Sequence, residues 1–169
     1  MKKTSHFIIF FVLLFFLVSW GEYCHKYINS VSVKVLPWKL KRFYFSHTQY
    51  LSDESIAADQ RRRYDKSEGP KHYLDADFYE TNIPFDTISL LPKDSLVINM
   101  GYLPWHIVEL YTQLIDAMKK DDGVEILYLS AEIGHYVSDA TVPLHTCLNY
   151  NGQLTNQHGI HGLWETEIP

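Results

Sequence analysis

Two apolar-periodic runs constrain this chain more than anything else in it: "PWHIVELYTQLIDAMKK" from Pro104 and "VEILYLSAEIGHYVSDA" from Val124. In the first, Ile107, Tyr111, Leu114, Ile115 and Met118 recur at the spacing of one helix face. Pro104 suits a first helical turn, where a missing N–H costs nothing. "DDGV" breaks the pattern, and Asp122 suits the N-cap of the second helix. That helix should stop before Pro143, because a residue ahead of proline is pushed out of the helical region.

The remaining segments read the same way. "CHKYINSVSVKVL" is helical, and Pro37 opens a further helix through "PWKLKRFYFSH". "DESIAADQRRR" forms one short amphipathic piece, and Glu68 to Asp94, with Gly69, Pro70, Pro84 and Pro92, forms irregular connections. "NYNGQLTNQHG" is a polar loop, and "HGLWETE" starts one more helix. Alternating strand patterns are scarce. The expected class is all-α, a single multi-helix domain.

The 169 residues, 46% hydrophobic and 15% aromatic, suffice for one packed core. A net charge of -5 argues against a broad footprint for duplex nucleic acid. "MKKTSHFIIFFVLLFFLVSW" has a basic start and an apolar run shorter than the roughly 20 residues of a bilayer span. Residues 1–19 therefore read as a secretory signal peptide, with an uncleaved membrane anchor as the rival reading. The mature chain, 20–169, would begin at Trp20 and be secreted or periplasmic. Cys24 and Cys147 could oxidise there, although their spacing does not say whether they meet.

Nine histidines against two cysteines mean that any metal is held mainly by nitrogen and oxygen. "HYVSDATVPLH" places His135 and Asp139 four apart, on one helix face and one turn apart. The turn at Pro143 would bring His145 back beside them. A hydrogen-bonded His–Asp pair in a core, with an incidental histidine, fits this motif equally well. "HGLWE" repeats the spacing with His161 and Glu165, while "AADQRRR" offers Asp59, "GPKHYLDAD" offers His72 and "WGEYCH" offers His25. Each has a bland reading when taken alone.

Taken together, Trp20…His25, Asp59…His72, His135-x3-Asp139-x5-His145 and His161-x3-Glu165 resemble the superfamily of zinc-dependent phospholipases C and single-strand-specific zinc nucleases. The resemblance implies an all-helical domain around three zinc ions. One would be held by Asp59, His72, His135 and Asp139, and a second by His145, His161 and Glu165. The third would take His25, Asp139 again, and the terminal amine and carbonyl oxygen of Trp20. Losing Lys2 and Lys3 with the signal peptide takes the charge from -5 to -7, and three divalent ions return it to about -1. The implied reaction is hydrolysis of a phosphodiester by zinc-activated water, with Asp59 orienting or deprotonating that water and Asp139 bridging two ions.

The implied substrate is a phosphoester, either a phospholipid or a single-stranded nucleic acid or nucleotide, and no stable protein partner is implied. Glu165 resembles the phospholipase branch, which favours phospholipid headgroups; the compact "WGEYCH" looks more like the nuclease/3′-nucleotidase branch. Trp105, Tyr73, Tyr102 and Trp164 could stack on a base or cradle a choline ammonium, but each alone reads better as core. "RRR" at 61–63 reads as a solvated face before a phosphate contact. His106 and His158 read as outer or surface residues. Family members continue through further helices, so the domain is expected to be C-terminally incomplete. A truncated, non-catalytic zinc-binding protein is the alternative from another class.

Overall fold

The computed structural model describes residues 20–79 and 99–166. The expected signal peptide, part of the irregular stretch from Glu68 to Asp94, and the last three residues lie outside them. The described residues form helices and 3-10 turns with no strand among them, an all-α fold. In order these are α1 (Trp20–Val35), α2 (Trp38–Phe45), α3 (Thr48–Glu54), α4 (Ala57–Arg62), α5 (Leu103–Lys119), α6 (Gly123–Ala140) and α7 (Ile160–Thr166). Short 3-10 turns occupy Gly69–His72, Ala76–Tyr79 and Pro143–Thr146. No described helix is long and apolar enough to cross a membrane.

The central element is α6. It packs against α5, α3, α1 and α4, and buries residues on nearly every side, from Ile126 and Leu129 to Tyr136 and Asp139. Its start follows the expected capping: Asp122 accepts from the Glu125 amide at 3.1 Å. Its core partners include Val33, Tyr44, Leu51, Leu103 and Leu110. Each of the Val and Leu side chains contributes about 1.5–3 kcal/mol when fully buried.

The buried stripe of α5 lies one step round from the expected face. Leu103, His106, Leu110 and Ala117 are buried, and Ile107 and Leu114 pack against the core from its margin. Tyr111 and Met118 are exposed, because periodicity fixes a face's spacing but not its rotation about the axis. "DESIAADQRRR" is not one helix either. It breaks at Ser55 and Ile56 into the end of α3 and all of α4. α1 starts earlier than expected, at Trp20.

One contact sets how closely α1 approaches α6. A Cβ on Gly134 would lie 2.0 Å from Asn29 Oδ1, so only glycine admits that side chain. Asn29 is buried and donates to the His25 carbonyl at 3.1 Å. The crossing thus delivers His25, one turn upstream, to the C-terminal half of α6.

Candidate metal centre

Eight of the nine expected ligands have described side chains, and they meet in space. His25 comes from α1, Asp59 from α4, His72 from the turn at Gly69–His72, and His135 and Asp139 from α6. His145 comes from the turn after α6, and His161 and Glu165 from α7. Trp20 is placed as the first residue of α1; its side chain is outside the description. Three groups have donor atoms close enough to hold a metal ion: His72, His135 and Asp139; His25, Asp59 and His135; and His145, His161 and Glu165.

Asp139 divides its two oxygens. Oδ2 lies 2.9 Å from His72 Nδ1 and 3.4 Å from His135 Nε2, while Oδ1 lies 3.3 Å from His25 Nε2. Asp59 looks into the same space from the other side, 3.8 Å from His72 Nδ1 and 3.9 Å from His25 Nε2. The imidazoles of His25 and His135 stack with centroids 4.0 Å apart. In the third group, Glu165 Oε1 sits 2.7 Å from His145 Nε2 and 3.0 Å from His161 Nε2.

The far nitrogens show how the rings are set. His135 Nδ1–H donates to the Ser55 carbonyl at 2.7 Å, at the junction that interrupts α3 and α4. His145 Nδ1–H donates to the His72 carbonyl at 2.6 Å, and His161 Nδ1–H to the Tyr150 carbonyl at 3.1 Å. Ser138 Oγ donates to the His135 carbonyl at 2.7 Å and accepts from His25 Nδ1–H at 2.6 Å. In all four residues the outward nitrogen carries a proton and Nε2 faces the group. In the metal-free protein the Nε2 atoms of His135, His145 and His161 donate to a carboxylate, and each can give its lone pair to a cation instead. Such outer hydrogen bonds are how proteins hold metal-ligating histidines in one tautomer. The donor set of imidazole nitrogens and carboxylate oxygens therefore fits a divalent cation such as zinc.

Charge distribution agrees with this arrangement. Burial pushes Asp139 up, but hydrogen bonds from His135 and His72 outweigh it and hold the carboxyl well below the usual range. Burial likewise raises Glu165, and His145 and His161 bring it down to about 2. Burial, aided by nearby His135, pushes His25 down to about 4. At neutral pH the centre thus presents ionised carboxylates and an uncharged His25.

A cavity of about 560 Å³ opens on the third group, and is walled also by Arg62, Tyr73, Asp75, Tyr150 and Asn151. The three consecutive arginines have three different fates, which a solvated-face reading misses. Arg61 is half-buried and bonds Glu132 and Glu68. Arg63 is exposed and pairs with Glu22 at 3.4 Å. Arg62 makes no ion pair among the described residues and lines the cavity. Helical phase separates them by about 100° per residue, which residue type alone cannot reveal.

The aromatic candidates also divide. Trp105 is core, Trp164 is half-exposed on α7, and Tyr73 faces the cavity. Tyr102 lies instead in a second cavity, beside Lys71 and His106. His106 is buried edge-on against Tyr136, and His158 is exposed. Cys24 and Cys147 are both free thiols.

No family model, curated protein or solved structure matches the chain.

Proposed function

We propose that this chain is a zinc-dependent phosphoester hydrolase of the phospholipase C and single-strand nuclease type, holding three zinc ions and favouring phospholipid headgroups. The observation that carries the reading is Asp139: a buried carboxylate with one oxygen facing His72 and His135 and the other facing His25. A structural ion pair needs one partner, whereas a carboxylate shared in this way suits two cations side by side.

Asp59, His72, His135 and Asp139 would hold one ion, His25 and Asp139 with the amine and carbonyl of Trp20 a second, and His145, His161 and Glu165 the third. Bound zinc supplies a water acidified to near neutral pH and positive charge against phosphoryl oxygens. Asp59, a third exposed, orients the attacking water and takes its proton on a carboxylate oxygen. Arg62 reaches the substrate phosphate from the cavity wall; a guanidinium offers several donors matched to phosphate oxygens. Tyr73 and Asp75 on the same wall suit a quaternary ammonium, with a ring face for cation–π contact and a carboxylate for charge. A tyrosine face also stacks on a base, which keeps single-strand nuclease action as the second reading.

The test is one side-by-side assay of zinc-loaded protein beginning at Trp20 on phosphatidylcholine vesicles, single-stranded DNA and a 3′-nucleotide. Headgroup release is expected to exceed attack on the other two. Rapid digestion of DNA with intact lipid would reverse the substrate preference. Full zinc content with no turnover on any of the three would leave a non-catalytic zinc-binding protein.

A further inference from the structure

Behind His72 lies a buried set of charges that the proposed chemistry does not use. Glu68 is 1% and Glu132 3% exposed. Arg61 bridges them, bonding Glu132 through both guanidinium ends and Glu68 at 3.1 Å. Glu68 also accepts from Lys71 Nζ at 2.8 Å and from the Tyr136 hydroxyl. Two carboxylates and two cations balance, so the set carries no net charge. Burying such groups costs several kcal/mol per ion, and well-packed apolar residues usually serve stability better.

The four other centre histidines have their outward nitrogens bonded, to three backbone carbonyls and one serine hydroxyl. His72 is the exception: its Nε2 is buried with no hydrogen-bond partner among the described residues, and the Glu68 carboxylate stands on that side with Oε1 4.0 Å away. Its Nδ1 faces Asp139. A carboxylate on that side attracts an N–H and repels a nitrogen lone pair. Without metal, Asp139 at 2.9 Å accepts from Nδ1–H; with a cation among the candidate ligands that proton is displaced, and Glu68 then favours the tautomer whose free pair is on Nδ1.

We propose that Glu68, locked by Arg61, Lys71 and Tyr136, is the positioning residue for His72, holding it as the Nε2–H tautomer so that Nδ1 is the metal-binding atom. This rests on the metal-centre reading above. Glu132 acts one step further out, on Arg61 alone. The spacing agrees: Glu68 and His72 flank the turn at Gly69–His72, which presents the carboxylate to the ring's far side.

Two measurements test the proposal. Zinc affinity is titrated against a competing chelator for the wild type, Glu68→Gln and Glu132→Gln, each checked for folding by thermal melting without metal. Both variants remove one charged partner of Arg61, but only Glu68→Gln changes the group facing His72. Glu68→Gln is expected to weaken the zinc site containing His72 by about 10–100-fold, the usual range for an outer partner of a ligand. Glu132→Gln should leave that affinity within about threefold on the same scale. Equal affinities for the wild type and a folded Glu68→Gln overturn the proposal.

The second measurement needs no variant: ring nitrogen chemical shifts of His72 in zinc-loaded wild-type protein. A protonated Nε2 with a metal-shifted Nδ1 supports the assignment, and the reverse pattern overturns it. Wild-type protein that takes up no zinc would overturn the metal-centre reading, and this assignment with it.

Discussion

His145 and His72 hold each other in place through the backbone: Nδ1–H of His145 donates to the His72 carbonyl at 2.6 Å, and the Leu74 amide donates to the His145 carbonyl at 2.9 Å. His72 belongs to the group around Asp139, His145 to the group around Glu165. The two groups are therefore joined by a reciprocal clamp, and disturbing one end should be felt at the other.

That clamp separates two ligand variants. His161→Ala removes a ring whose nitrogens face Glu165 and Tyr150, and should cost one zinc per chain. His145→Ala should cost that zinc and also weaken the pair around Asp139. Metal analysis after dialysis at matched free zinc distinguishes them; identical losses in the two variants would contradict the coupling.

Gly134→Ala tests how α1 is seated. The added methyl would need the space of Asn29 Oδ1, so α1 must shift away from α6. Overpacking of this kind costs about 1–3 kcal/mol. The melting temperature should fall, and His25 should withdraw from Asp139, taking one zinc with it. Unchanged metal content in a destabilised variant would show that α1 yields without moving His25.

Asp139→Asn removes one anionic oxygen from the place where two sets of histidines converge. It should lower zinc content by more than one ion and cut phosphoester hydrolysis by more than ~100-fold, beyond the effect of an outer-shell change. Normal turnover with full zinc would exclude a shared role.

Acid should destabilise the metal-free protein within a defined window. Burial raises Glu68 and Glu165, but hydrogen bonds outweigh it and set both at about 2: from Lys71, Tyr136 and Arg61 for Glu68, and from His145 and His161 for Glu165. An unperturbed Glu titrates at 4.5, so on acidification the unfolded chain takes up protons first. Their contribution is present above about pH 4.5 and lost as pH falls toward 2. Thermal melts between pH 5 and 3 should show the loss, and Glu68→Gln should flatten it. An equal slope in that variant would place the dependence elsewhere.

Arg62→Ala leaves every candidate ligand in place and removes from the cavity wall a guanidinium that makes no ion pair among the described residues. Zinc content should be unchanged while turnover falls by about 10²–10³, the cost of losing one preorganised donor to developing charge. A variant with wild-type rates would mean that the phosphate is held elsewhere.

The all-α class, the cap at Asp122, the stop before Pro143 and the candidate ligands His25, Asp59, His72, His135, Asp139, His145, His161 and Glu165, which the structure gathers into three groups, were legible in the sequence. Helical period and i,i+4 spacing are local properties, and His135/Asp139 and His161/Glu165 carry their geometry with them. What the chain's order cannot express is rotation and approach. Tyr111 and Met118 keep the right period yet face solvent, and Arg61, Arg62 and Arg63 look identical until helical phase sends one inward, one to the cavity and one to Glu22. The outer partners are further removed: Ser55 lies 80 residues from His135, and Ser138 113 from His25. Gly134 marks no turn in the sequence, and its role appears only when Asn29 is pressed against it. Residue spacing supplied the candidate ligands; the crossing of α1 over α6 and the break between α3 and α4 decided which nitrogen of His25 and of His135 faces inward. Those choices depend on contacts between segments far apart in the chain, which close packing settles and local propensity does not.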